Sequence, residues 1–266
     1  SDVAVAWCSP GFDAQFQTAP LTSHQLIQDS FGAFGATIGY PELGTVPLIA
    51  FGHSSTNGYA QRAAESRPDR VLAVIATHGW DAIGKLTSVP PYFVNYAGPI
   101  LSMIGDKWEM GQDTRTFSQL TTVYGIPDLS AIGTQCDHHW MPITKIDQNG
   151  SGHFDYDDEM MDIIAMFIRK AVAARLDASG NLVAIDRTTG WIAPGMSSAP
   201  TAPITVMAYT SGTSPTRDRC NWFFDQEFAE ACAAFVYGSG PWNRTYQMIW
   251  YYTSGGSPAP VGGNSF

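Results

Sequence analysis

Short apolar runs, separated by segments of helical pattern, are the feature that most constrains how this chain can fold. Three segments are almost continuous apolar runs: residues 46–51, 71–76 and 100–104. Such runs are typical of parallel strands covered on both faces. A further strand is expected at residues 143–146, with helices over 55–67 and 157–176. Strands that alternate with helices predict an α/β fold with a mostly parallel sheet flanked by helices.

The composition changes in the last third of the chain. Residues 177–222 are rich in Gly, Pro, Ser and Thr, and one helix is expected after them, over 225–237. We therefore expect a core domain over residues 1–176 and a C-terminal appendage, residues 177–266, packed on that core.

The charge balance excludes several classes of function. The chain has 24 acidic residues against 14 Lys and Arg, a formal net charge of −10. A nucleic-acid partner is not expected, because phosphate binding needs clustered basic residues. No apolar run approaches the ~20 residues that a membrane-spanning helix needs, so no membrane span is expected. Only 14% of residues are charged, which favours a secreted or periplasmic protein whose leader peptide has been removed.

Cysteine usage gives a second argument about location. The four cysteines form no C-x-x-C motif, which argues against a zinc ribbon. Cys220 and Cys232 are close enough in sequence for a local disulfide, which would leave Cys8 and Cys136 to pair across the fold. Two disulfides would fit an exported protein. Four buried thiols are the alternative.

Residues 52–56, Gly-His-Ser-Ser-Thr, lie directly between an apolar run and a predicted helix. A sharp strand-to-helix turn needs small residues beside its apex and exposes the apex side chain. Ser54 at the apex is the candidate nucleophile, Ser55 the candidate oxyanion donor through its backbone N–H, and His53 is expected to line the pocket. Thr56 departs from the G-x-S-x-G pattern and would crowd the turn. A serine-rich helix cap is the alternative.

The candidate general base is His153, in the small loop 150–154 between the last predicted strand and the long helix. His138 and His139, beside Cys136, could suggest zinc, but adjacent histidines rarely bind one ion together, so no metal is expected. No dinucleotide or phosphate-loop motif occurs, and no cofactor is expected.

The acid that would orient the histidine should follow the strand at 100–104. Glu109 is slightly favoured because its longer side chain offsets its greater distance from the strand, and Asp106 is the alternative. Asp81, after the preceding strand, is a third candidate.

Taken together, the Gly52–Thr56 turn, Gly105 with its nearby acids, and Gly152-His153 resemble the α/β-hydrolase fold over residues 3–176. The tripeptide at 41–43, Pro-Glu-Leu, resembles the corresponding segment of bacterial dienelactone hydrolases and polyhydroxyalkanoate depolymerases. The resemblance implies a serine nucleophile and ester or related acyl substrates. It also implies about 100 residues before the turn, whereas 53 precede Ser54. On this resemblance we expect N-terminal strands to be missing from this chain, with a second chain fragment as the candidate to supply them.

Two classes of function remain open. The first is a carboxylic ester hydrolase, acting on a small-molecule or polymer-linked ester through Ser54, His153 and Glu109 or Asp106, with an amidase or thioesterase on the same fold as its variant. Trp140 is expected at the mouth of its pocket. The second is a non-catalytic carbohydrate- or surface-binding protein, which the many tryptophans suggest.

Overall fold

The computed structural model describes residues 21–78, 96–105, 142–148, 156–194, 203–211, 220–237, 251–254 and 257–260. The chain divides into two compact units, residues 1–46 and residues 47–266. The apolar run at residues 3–7 also predicts a strand, but these residues lie outside the described ranges.

The described part of the first unit is a helix that turns sharply at its end. Helix α1 (Leu21–Ile38) stops at Gly39, whose φ of +86° is the left-handed conformation that commonly ends helices. The N–H of Tyr40 then donates to the carbonyl of Gly35 at 2.7 Å. A side chain at position 35 would collide with the carbonyl oxygen of Tyr40, so the close return of the chain requires glycine there. A single 3-10 turn, Pro41–Gly44, follows.

The second unit contains a four-stranded, all-parallel sheet whose strands are adjacent in chain order. They are β1 (Leu48–His53), β2 (Val71–Thr77), β3 (Ile100–Gly105) and β4 (Ile143–Gln148). Helix α2 (Asn57–Ser66) connects β1 to β2, and helix α3 (Asp158–Arg175) follows β4. The prediction of a parallel sheet flanked by helices is confirmed at this level.

Buried side chains cover the sheet on both faces. One cluster joins α2 to the sheet and consists of Ala60, Ala64, Val71, Val74, Ala76, Tyr96, Ile100 and Ile143. The other joins α3 to the strands and includes Ile75, Leu101, Met103, Ile146, Ile163 and Phe167. All of β2 is buried, as its apolar run predicts. β1 forms one edge of the described sheet, and its Phe51 is 48% exposed.

Helix α3 has polar anchors near both ends. The side chain of Asp157 caps it by accepting a hydrogen bond from the N–H of Met160 at 2.7 Å. Near the other end, the buried Arg175 donates to the carbonyls of Leu72 and Val183. These bonds to backbone carbonyls satisfy a charged group that is 6% exposed, as burial of a charge requires.

The region after α3 contains a three-stranded antiparallel sheet and a helix. Its elements are β5 (Trp191–Pro194), β6 (Met207–Ala208), β7 (Cys220–Phe223) and α4 (Gln226–Tyr237), followed by a hairpin of β8 (Tyr251–Ser254) and β9 (Ser257–Pro260). Phe223, Phe228 and Phe235 share the buried cluster of α3. Thr144 on β4 donates to the carbonyl of Trp222 at 2.6 Å. The boundary at residue 176 stays a prediction.

The local disulfide expected between Cys220 and Cys232 is not formed. Cys232 is a free thiol, fully buried on the inner face of α4 among the phenylalanines of the main core. Burial in these apolar surroundings raises the pKa of its thiol. The spacing of the two cysteines left open whether Cys232 would face its partner or the core, and it faces the core. Cys8 and Cys136 lie outside the described residues, and an exported location stays a prediction.

We predict that iodoacetamide labels Cys232 only after the protein is unfolded, and that no reductant is needed. The native thiol is buried and protonated, so it is neither accessible nor nucleophilic. Peptide mapping by mass spectrometry of native, denatured, and denatured-and-reduced samples measures this. Labelling that requires reduction would instead show that Cys232 is held in a disulfide.

Candidate functional site

The turn at Ser54 places its side chain where strand β1 gives way to helix α2. His53 still has extended backbone, with φ −126° and ψ 137°, and Ser54–Thr56 forms one 3-10 turn before α2. Ser54 itself has a φ of +55°. This left-handed conformation costs a residue with a Cβ about 1–2 kcal/mol, so the surrounding structure must hold it in place.

Gly52 makes the sharp turn sterically feasible. A Cβ at this position would lie 2.7 Å from the Cα of Asn57 and 2.7 Å from the carbonyl oxygen of Thr56. Both are backbone atoms, which cannot move aside as a flexible side chain can. The strand can therefore approach the start of α2 this closely only with glycine at position 52.

Thr56 closes the turn rather than crowding it. Its hydroxyl accepts a hydrogen bond from the N–H of His53 at 2.8 Å and donates to the carbonyl of His53 at 2.6 Å. The rest of the side chain is exposed, so its extra bulk meets no core atoms. The expectation that threonine would crowd the turn is therefore wrong, because the side chain points away from the turn's interior and its hydroxyl bonds the backbone.

Two buried polar side chains fasten the turn to the neighbouring strand. The amide of Asn57 donates to the carbonyl of Thr77 at 3.1 Å and accepts from the N–H of Thr77 at 3.3 Å. The hydroxyl of Thr77 also lies 3.1 Å from the carbonyl of Gly52, to which it can donate. Asn57 and Thr77 are both fully buried. The first residue of α2 and the end of β1 are thus tied to the end of β2.

A second strained residue lies at the same edge of the sheet. His78, directly after β2, has a φ of +48° and is fully buried. Its N–H donates to the carbonyl of Met103 at 2.8 Å. Within the described ranges, Ser54 and His78 are the non-glycine residues with positive φ. Both lie at the carboxyl ends of adjacent parallel strands, where α/β proteins bind ligands.

A tyrosine joins these two histidines in one cluster. The ring centroids of His53, His78 and Tyr156 lie 5.3–5.7 Å apart. The hydroxyl of Tyr156 lies 2.9 Å from Nδ1 of His53 and 2.5 Å from Oγ1 of Thr77. His53 is a member of this cluster, and its expected place in a substrate pocket stays a prediction. Tyr156 was missed, because it is a single aromatic residue ahead of a helix with no motif around it.

The other predicted site residues lie outside the described residues: Asp81, Asp106, Glu109, Trp140 and His153. The chain leaves β3 at Gly105, one residue before Asp106, and leaves β4 at Gln148. The carboxyl ends of parallel strands share one edge of a sheet, and that edge carries Ser54. The roles of these residues stay predictions.

In the part of the chain that the structure describes, no group of three or more His, Cys, Asp or Glu residues could hold a metal ion. No described helix is long and apolar enough to cross a membrane. Comparisons with protein-family models, with curated proteins and with solved structures find no match.

We predict that Ser54→Gly is more stable to urea than Ser54→Ala by about 1 kcal/mol, because only glycine adopts a φ near +55° without a Cβ penalty. Ala173→Gly, at an exposed position of α3, is the control. It should lose about 0.5–1 kcal/mol, since glycine weakens an ordinary helix position. A Ser54→Gly variant no more stable than Ser54→Ala would contradict the left-handed conformation of this residue.

Proposed function

We propose that this protein is a serine hydrolase of the α/β-hydrolase fold that cleaves carboxylic esters. The observation that carries the proposal is the left-handed backbone of Ser54 in a tight turn from a parallel strand into a helix. A turn of this shape lifts a serine hydroxyl above the sheet edge and aims the first backbone N–H groups of the helix at the same place. A serine that merely capped α2 would have extended backbone instead.

The order of elements along the chain supports the same proposal. Ser54 follows β1, the candidate acids Asp106 and Glu109 follow β3, and His153 follows β4. This is the nucleophile, acid, histidine order of α/β-hydrolases. In a parallel sheet all three segments leave from one edge, so residues that are distant in sequence can converge there.

The reaction would proceed through an acyl-enzyme. Oγ of Ser54 attacks the ester carbonyl while His153 takes its proton, and Asp106 or Glu109 orients the imidazole. The backbone N–H of Ser55 donates to the negative oxygen of the tetrahedral intermediate. The C–O bond to the alcohol breaks as His153 returns the proton to that alcohol. Water, deprotonated by His153, then attacks the acyl-serine; the bond from the acyl carbon to Oγ breaks, the carboxylic acid leaves, and His153 returns the proton to Oγ of Ser54.

The tryptophans give little support to the carbohydrate-binding alternative where the structure describes them. Trp222 is 4% exposed, and its indole N–H donates to the carbonyl of Arg187 at 3.0 Å. Trp191 packs against the main core. Trp222 therefore offers no open aromatic face on which a sugar could stack, and Trp191 is half-buried against the core.

We predict that Ser54→Ala lowers the turnover of p-nitrophenyl acetate by about 10⁶-fold, because the nucleophile is lost. Ser66→Ala is the matched control. Its hydroxyl donates to the carbonyl of Ala63 at the other end of α2, and its loss should leave turnover unchanged. A thioester and an anilide with the same acyl group then show which bond, ester, thioester or amide, the enzyme cleaves fastest. A Ser54→Ala variant with wild-type turnover would refute the proposed function.

A further inference from the structure

We infer that Tyr156 is a positioning residue for Ser54, acting through His53 and Thr77, and this inference rests on the proposed function. The tyrosine comes from a third element: it lies two residues before α3, whereas His53 ends β1 and Thr77 ends β2. Its hydroxyl therefore joins three segments of the second unit at the sheet edge that carries the turn.

The contacts of the hydroxyl show that it bonds rather than only packs. Tyr156 is 38% exposed, yet its oxygen reaches the fully buried Thr77, 2.5 Å from Oγ1. On its other side the same oxygen is 2.9 Å from Nδ1 of His53. A phenylalanine could fill the same space, but it would break both bonds.

The bridge acts on the two residues that precede Ser54. Thr77 Oγ1 also lies 3.1 Å from the carbonyl of Gly52, and the ring of His53 is fixed one residue before Ser54. The two residues just before the strained Ser54, Gly52 and His53, are therefore held by the tyrosine, Gly52 through Thr77 and His53 through its own ring. Because strain persists only where surrounding contacts over-determine it, loss of the bridge should let the turn relax.

Relaxation of the turn should affect catalysis more than binding. Displacing a nucleophile by about 1 Å can cost on the order of 10²-fold in rate, while the groups that bind substrate away from Ser54 are unchanged. A bridge that only partly controls the turn should therefore cost about tenfold in kcat, with little change in KM.

The test is a double-mutant cycle with p-nitrophenyl acetate, combining Tyr156→Phe with Thr77→Val. Each single variant should lower kcat about tenfold with KM within about twofold, and the double variant should be no worse than the poorer single one, because both remove the same bridge. Thr77→Ser keeps the hydroxyl and should retain turnover near that of the wild type. Tyr237→Phe, at the end of α4, is the control for loss of a tyrosine hydroxyl and should be unchanged.

Wild-type kcat in Tyr156→Phe, or losses in the two single variants that multiply in the double one, would overturn the inference. If Thr77→Val does not fold, Tyr156→Phe decides through its split between kcat and KM, and a change in KM alone would overturn the inference. Ser54→Ala, measured beside them, separates the two claims. An inactive Ser54→Ala with a fully active Tyr156→Phe refutes the positioning role alone, whereas an active Ser54→Ala refutes the proposed function and the positioning role with it.

Discussion

The left-handed backbone of Ser54 is the constraint on which the proposed site depends. This conformation is unfavourable by itself, and it persists because contacts with several neighbours hold the backbone in place. Gly52 permits the close approach of strand and helix, Thr56 closes the turn onto His53, and Asn57 ties the helix start to the next strand. Each of these contacts is local in space and acts on backbone atoms. The small and polar residues around position 54 therefore determine the shape of this one turn.

The parallel sheet supplies the rigid base for that turn. Its strands are covered by α2 on one side and by α3 on the other, and β2 is buried along its whole length. Such a sheet leaves its carboxyl edge as the place where side chains of several strands meet. His78 and Thr77 at the end of β2, and Tyr156 ahead of α3, meet His53 at that edge. The common direction of the strands thus explains both how the sheet is packed and why the candidate site residues meet at one edge of it.

Local sequence signals predicted the elements well and the contacts between distant residues poorly. The apolar run at 71–76 became β2, and the small residues at 52–56 correctly placed a tight turn after β1. Tyr156 bonds Thr77 across 79 residues, and no periodic pattern records such a pairing. The predicted disulfide of Cys232 was wrong for a related reason, since the spacing of two cysteines cannot tell which face of a helix packs against the core. The roles assigned to Asp106, Glu109 and His153 stay predictions from chain order.

The most direct measurement is the site of covalent capture by a serine-reactive organophosphonate. A nucleophile held at a strained turn, beside backbone N–H donors, should react with such a reagent far faster than other serines do. Digestion and mass spectrometry of the treated protein should place the phosphonyl group on Ser54 alone, in step with loss of ester hydrolysis. A phosphonyl group on a different residue, or full hydrolysis by protein whose Ser54 is completely modified, would contradict the account.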